Sequence, residues 1–170
     1  MDEALLIRPE REGDADTIRA VIDAAFRGMP YADGDESDVV DRLRSDGALS
    51  VSLVAESAGV IVGHIAYSPA RPEGGAAGWY ALGPLAVVPA HQSRGVGSAL
   101  VRAGDRALRE LGAAGCTLLG DTAYYTRFGF VPTPANAPPD LPAEHFMVQI
   151  LSGPAPSGPI RFHPAFGPGS

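Results

Sequence analysis

LAVVPAHQSRGVGSA, residues Leu85 to Ala99, passes from an apolar strand ending at Pro89, through a polar turn with two glycines, straight into a helix. A helix N-terminus offers backbone N–H groups that have no partner within the helix, together with a partial positive charge. Glycines there let an anion approach the main chain closely, so the stretch reads as a cradle for phosphate. A dinucleotide fingerprint would need a third glycine where Leu100 stands. A nucleoside triphosphate loop would end in Gly-Lys-Ser/Thr, which is absent. The phosphate compound is therefore neither of the two common ones.

Working backwards, the run Trp79 to Val88 contains Gly83-Pro84. Proline cannot donate to a ladder, so this strand is expected to bulge or lose a neighbour at Pro84. Leu49 to Glu56 and Val60 to Tyr67, joined by Ser57-Ala58-Gly59, read as an antiparallel hairpin followed by the loop Pro69 to Gly78. Leu5 to Pro9 reads as a strand. Behind Asp14 and Asp16, the positions Ile18, Val21, Ile22, Ala25 and Phe26 form an amphipathic stripe that Gly28 and Pro30 end. Val39, Val40 and Leu43 mark a second, shorter helix closed by Gly47.

Working forwards, Val96, Leu100, Ala103, Ala107 and Leu111 share one helix face up to Gly112. Cys116 to Leu119 is then a buried strand, Thr122 to Phe128 a short helix and Phe146 to Leu151 a late strand. From Ser152 onward Gly and Pro surround one β-like island, Ile160 to Phe162, expected to be loosely ordered or an extra edge strand. The expectation is an α/β (α+β) fold: a mixed, mostly antiparallel twisted sheet of six or seven strands. Two helices precede the hairpin and two follow the bulged strand. A domain over residues 1–151 is followed by an extension over 152–170.

The chain has 170 residues, 45% of them hydrophobic, enough for one domain with a real core. No apolar run reaches membrane-spanning length, and the N-terminus carries Asp2 and Glu3 where a secretory leader would be basic, so a soluble, cytoplasmic protein is expected. The lone Cys116 builds neither a disulfide scaffold nor a zinc module, and the four histidines lack ligand spacing, so no metal is expected. Residues 1–50 hold 13 acids against 6 arginines, while residues 51–170 hold 7 of each. The whole net charge of −7 thus sits at the N-terminal end, which disfavours nucleic acid and anionic membranes and favours a cationic small partner. The ordinary alternative is a solvated acidic helix face. There is no lysine.

Gln92-Ser93-Arg94-Gly95-Val96-Gly97, preceded by Leu-Ala-Val-x-Pro, resembles the Q/R-x-x-G-x-G/A signature of the GNAT superfamily of N-acetyltransferases. Downstream, Tyr124-Tyr125-Thr126-Arg127-Phe128-Gly129-Phe130 is similar to the Tyr-x-x-x-Gly-Phe segment of that family, and the doubled tyrosine with Arg-Phe-Gly-Phe resembles an uncharacterised bacterial branch of it. The resemblance covers about residues 5 to 151. It implies acetyl-CoA as cosubstrate, with the turn Gln92, Ser93, Arg94, Gly95, Val96, Gly97 and Ser98 holding the CoA pyrophosphate. It also implies that the fourth and fifth strands splay, so that the pantetheine arm pairs with the backbone of Leu85, Ala86 and Val87. Tyr125 matches the tyrosine that protonates the departing CoA sulfur, and Tyr124 is expected to pack.

Acetyl transfer needs a neutral amine, a polarised thioester carbonyl and a proton for the thiolate. Backbone N–H groups near Leu85 to Val87 would serve as an oxyanion hole worth ~3 kcal/mol. Phe128 and Phe130 are expected in the core. No motif fixes a general base: His64 and Glu73 are candidates whose ordinary role would be satisfied or surface polar, His91 is expected to face solvent, and water relaying the proton would suffice. Cys116, in an apolar strand without an activating neighbour, reads as core, which favours direct attack in a ternary complex over an acetyl-cysteine route. The acceptor is expected to be a small-molecule or peptide amine, cationic because of the acidic helices. A rival is a non-catalytic acyl-CoA sensor, against which Tyr125 speaks, and a longer acyl donor stays open. The tail is a candidate bridge to a second copy in a homodimer.

Overall fold

The structure, a computed structural model, describes residues 4–30, 32–168 and 170, so Asp2 and Glu3 lie outside the described residues. In chain order the elements are β1 (Leu5–Pro9), α1 (Ala15–Phe26), α2 (Glu36–Ser45), β2 (Val51–Ser57), β3 (Val60–Pro69), β4 (Arg71–Pro72) and β5 (Trp79–Val87). They continue with α3 (Val96–Glu110), β6 (Gly115–Leu119), α4 (Thr122–Tyr125), β7 (Val131–Pro132), β8 (Phe146–Ile150) and β9 (Ile160–Arg161). Seven strands hydrogen-bond in the order β1-β2-β3-β5-β6-β8-β7. β5 pairs β6 in parallel, whereas β1-β2, β2-β3, β6-β8 and β7-β8 pair antiparallel. This is the mixed, mostly antiparallel sheet expected from the sequence, with two helices before the hairpin and two after β5. No helix among the described residues is long and apolar enough to cross a membrane.

The chain divides into two compact units. The first holds the residues up to Tyr67 together with Gly83–Ala107, and the second holds Ser68–Leu82 and everything from Leu108 onward. In the first unit, the α1 stripe of Ile18, Val21, Ile22 and Ala25 is buried against Val40 of α2 and Val54, Ala66 and Ala86 of the strands. Asp14 stands at the start of α1 but does not cap it; its carboxylate accepts from Arg8 (2.8 Å) and the Arg11 N–H (2.7 Å). Ser57 pairs with Val60, so the hairpin turn is two residues rather than the three expected. Ala58 (φ 51°) and Gly59 (φ 79°) are both left-handed, as the twist of a two-residue hairpin demands. β3 is buried on both faces: Val54 stands opposite His64 on the α1/α2 side, while a Cβ on Gly63 would lie 3.0 Å from Val96 and Leu100 of α3.

In the second unit, β6 pairs β8 along its full length. The core gathers Ala70, Trp79, Ala81, Phe146, Val148, Ile160 and Phe162. The β-like island of the tail, β9, pairs with the two-residue β4 in a small sheet of its own instead of edging the seven strands. Arg71 donates to Phe162 O (2.6 Å), the Asn136 amide donates to Pro156 O (3.0 Å) and Gly158 O (2.7 Å), and Phe162 meets Phe146 and Phe166 at ring distances of 6.0 and 5.6 Å.

Candidate functional site

β5 carries the backbone irregularity that Pro84 demands. Its ladder to β6 covers Trp79, Tyr80 and Ala81 and stops before Gly83-Pro84. On the β3 side, Val88 N–H donates to Val62 O (2.9 Å) and Ala70 N–H donates to Trp79 O (2.8 Å), so nine steps along β5 answer eight along the other chain segment. One extra residue is therefore accommodated between those two bonds. Leu85 and Val87 are half-buried, and Ala86, 1% exposed, is packed into the α1/α2 core.

The turn that follows is built stepwise. Pro89–His91 form a 3₁₀ turn, with His91 N–H bonded to Val88 O and Gln92 N–H to Pro89 O. The Gln92 side-chain amide donates back to Val87 O (3.0 Å), stapling the turn to the end of β5. Ser93 (φ 62°) and Gly95 (φ 83°) are left-handed on either side of Arg94, an alternation of the kind that makes anion-binding concavities in a main chain. Ala99 N–H is the donor to Gly95 O (3.0 Å), which leaves the amides of Val96, Gly97 and Ser98 without an intrahelical acceptor. Gln92, Ser93, Arg94 and Gly95 are exposed, while Val96 is buried as the peg that seats α3 on Gly63. All ten residues expected at the cosubstrate thus lie on one continuous strand-turn-helix segment of the first unit.

Tyr125 belongs to the second unit, at the end of α4. Asp121 caps that helix by accepting from Ala123 and Tyr124 N–H (2.9 and 3.4 Å). Left-handed Gly129 (φ 92°) ends the following 3₁₀ turn, which Gln149 secures by donating to Phe128 O (3.1 Å). The Tyr125 ring is half-buried, edge-on to Tyr124 (4.9 Å) and Phe130 (6.0 Å), and a side chain on Gly120 would strike it at 2.7 Å. Phe130 is buried, as expected of a core residue, but Phe128 is only half-buried. The reason is a surface stack: the Arg127 guanidinium lies 4.5 Å over Tyr124 and 5.4 Å over Phe128. Cys116 is fully buried in β6.

Of the candidate bases, Glu73 is exposed, with its N–H bonded to Pro159 O (2.9 Å). His91, expected to face solvent, is half-buried, and its Nδ1 is enclosed without a partner among the described residues. His64 is fully buried; its Nε2 lies 2.8 Å from Ser52 Oγ, and Ser52 Oγ lies 2.8 Å from Glu10. Burial pushes the His64 imidazole down to about 4, with Glu10 opposing and Arg44 reinforcing that shift. The sequence offered no signal for this network, since its members are scattered from residue 10 to residue 64.

The acids of the N-terminal helices are largely consumed internally. Arg19 pairs with Asp38 and Asp41, Arg44 with Glu10 and Asp41, and Arg8 with Asp14 and Glu56. A further concentration lies just before and at the start of α2, where carboxylate oxygens of Asp33, Asp35 and Glu36 come within 4.8 Å of one another and Asp35 lies 3.9 Å from Arg42.

Residues 17–130 match the sequence model of the Acetyltransferase (GNAT) family. The chain is 37% identical to the uncharacterized N-acetyltransferase YhbS of Escherichia coli over 127 residues, which is 74% of this chain and 73% of that one. Its fold is similar to that of a GNAT family acetyltransferase from Brucella melitensis, solved in complex with acetyl-CoA. That comparison has a TM-score of 0.86 and 44% identity, covering 97% of this chain and 99% of the other. It is likewise similar to the structure of Escherichia coli YhbS in complex with CoA, with a TM-score of 0.87 and 31% identity over 98% and 93% of the two chains.

Proposed function

The chain belongs to the GNAT acetyltransferase family, and we propose that it transfers the acetyl group of acetyl-CoA to a cationic amine by direct attack within a ternary complex. The observation that carries this reading is the exposed turn at the start of α3, where left-handed Ser93 and Gly95 precede three amides free of helical bonding. Such a turn meets the charge of a pyrophosphate with main-chain donors and the helix dipole. Gln92 then serves through its bond to Val87 O, holding the turn against the strand that would line the pantetheine arm.

The amine nitrogen attacks the thioester carbon, and a backbone N–H of Leu85 to Val87 steadies the oxygen as it gains charge. The C–S bond breaks and the thiolate takes a proton from Tyr125. Support for a cationic acceptor is the Asp33, Asp35, Glu36 concentration, three carboxylates against the single Arg42 near Asp35 among the described residues, narrower than the acidic composition alone suggested.

The test follows release of CoA thiol from acetyl-CoA with a panel of polyamines, aminoglycosides, amino acids and short peptides. Tyr125→Phe is expected to lower acceptor-dependent release about 100-fold while acetyl-CoA binding by calorimetry is unchanged. Asp33→Asn with Asp35→Asn and Glu36→Gln is expected to raise KM for the amine several-fold at low salt. Binding without release for any amine would leave a sensor of acyl-CoA, and no binding would remove the reading altogether.

A further inference from the structure

A buried imidazole with one unused nitrogen lies at the centre of the first unit, and its hydrogen bonds fix which nitrogen carries the proton. Glu10 accepts from Arg44 Nε (2.9 Å), Arg44 Nη2 (2.8 Å) and Ser52 Oγ (2.8 Å). Burial alone would push its carboxyl up, but the bonds from Arg44 and Ser52 outweigh that and hold it below the usual range. Glu10 is therefore ionised and can only accept. Ser52 owns a single O–H, which goes to Glu10. The 2.8 Å contact between Ser52 Oγ and His64 Nε2 must then be made by Nε2–H donating to the oxygen. Neutral His64 consequently presents Nδ1 as a bare lone pair, and that atom is buried with no donor among the described residues. A buried acceptor left unmade is destabilising, and such groups in native folds call for a functional account.

The position supplies one. The Val88–Val62 bond sets the antiparallel register that puts His64 opposite Ala86 on the same face of β3 and β5. Side chains so placed have Cβ atoms about 5 Å apart. Ala86 is the middle residue of the segment proposed to hold the thioester. Against His64, β2 places its register partner Val54 and the hydrogen-bonded Ser52, and Val54 belongs to the apolar cluster that draws Ile18, Val21, Ile22 and Ala25 from α1 and Val40 from α2. The charged groups acting on it are Glu10 and Arg44.

Resting on the acetyl-transfer reading above, the geometry points to His64 as the base that takes the proton of the attacking amine, with Ser52 and Glu10 positioning its ring and taking up the proton displaced from Nε2. As the N–C bond forms, the amine proton passes to Nδ1, the Nε2 proton to Ser52 Oγ, and the Ser52 proton to Glu10 Oε1. Glu10 holds it until Nδ1 gives its own proton to solvent as the products leave; the reverse shift then returns the Glu10 proton through Ser52 to Nε2 and restores the starting tautomer.

The experiment pairs nitrogen NMR of ¹⁵N-histidine-labelled protein with pH profiles of thiol release, using acetyl-CoA and the panel amine of highest turnover. Wild-type His64 is expected to carry its proton on Nε2, and Glu10→Gln, whose amide can donate to Ser52, is expected to move it to Nδ1. At neutral pH, His64→Gln and Glu10→Gln should lower kcat at least 10-fold with KM for acetyl-CoA unchanged. Ser52→Ala should do the same and Ser52→Thr restore the rate. These deficits should shrink as pH approaches about 10, where an alkyl amine is already losing its proton to solvent. A proton on Nδ1 in the wild type, an unaltered kcat, or a deficit equal at every pH would overturn the relay. A wild type that binds acetyl-CoA yet releases no thiol with any amine would overturn it too, by removing the transfer itself. That failure is recognised because the unmutated protein is inert.

Discussion

Arg8 is only 8% exposed, and its guanidinium joins Asp14 (2.8 Å) to Glu56 (2.8 Å), so one cation serves two carboxylates. Arg8→Ala would strand the two acids and should lower unfolding free energy by about 3 kcal/mol, readable in urea. The bond from Arg8 and then that from the Arg11 N–H hold the Asp14 carboxyl below its ordinary range. Its contribution to stability is therefore complete above about pH 4 and fades as pH falls through the lower folded value, because the unfolded chain takes up the proton first. In an acid titration Asp14→Asn should show a shallower loss of stability over that window than the wild type. At this scale the sequence was legible where backbone conformation selects a residue type, as at Gly95. It was silent where side chains meet across the chain: Asp14 read as a helix start, and nothing tied it to Glu56, 42 positions further on.

The phosphate turn is seated by a pair of elements rather than by itself. α3 rests on β3 at Gly63, where a Cβ would meet Val96 and Leu100 at 3.0 Å and Ala86 O at 3.3 Å. Gly63→Ala should require Val96, Leu100 and the Ala86 carbonyl to give way by only a few tenths of an ångström and so cost little. Gly63→Val should lift the N-terminal turn of α3 and weaken acetyl-CoA binding about 10-fold, with a stability loss of about 1–3 kcal/mol, measured by calorimetry and denaturant unfolding. α1, α3 and the hairpin were legible because each runs long enough to express its period. β4 and β7 have two residues apiece, too few for any alternation, and both contain proline. The single helix expected over Thr122 to Phe128 is instead an α turn passing into a 3₁₀ turn, the tightening common where a helix ends against left-handed glycine.

For the molecule as a whole, the tail is part of a core. Ile160 is fully buried and Phe162 is 6% exposed, both packed with Trp79 and Phe146. Ending the chain at Leu151 should therefore remove about 4 kcal/mol of apolar burial, seen as a lower melting temperature. A truncated chain of unchanged stability would instead place the domain boundary at residue 151. The β-like island at Ile160 was visible in the sequence, but its partner Arg71–Pro72 was hidden in a loop-like stretch, since pairing across 88 positions leaves no local trace. The interleaving of the two units was equally invisible, because it is a property of contacts and not of composition. It has a consequence for the chain as it leaves the ribosome. When Ala107 has emerged, every residue of the first unit is available, yet Ser68–Leu82 already hangs from it with Trp79 and Ala81 awaiting partners between Gly115 and Ile150. At roughly 5–20 residues per second that apolar loop waits for several seconds of translation, and this interval is where a nascent chain of this topology is exposed to chaperones and to wrong partners.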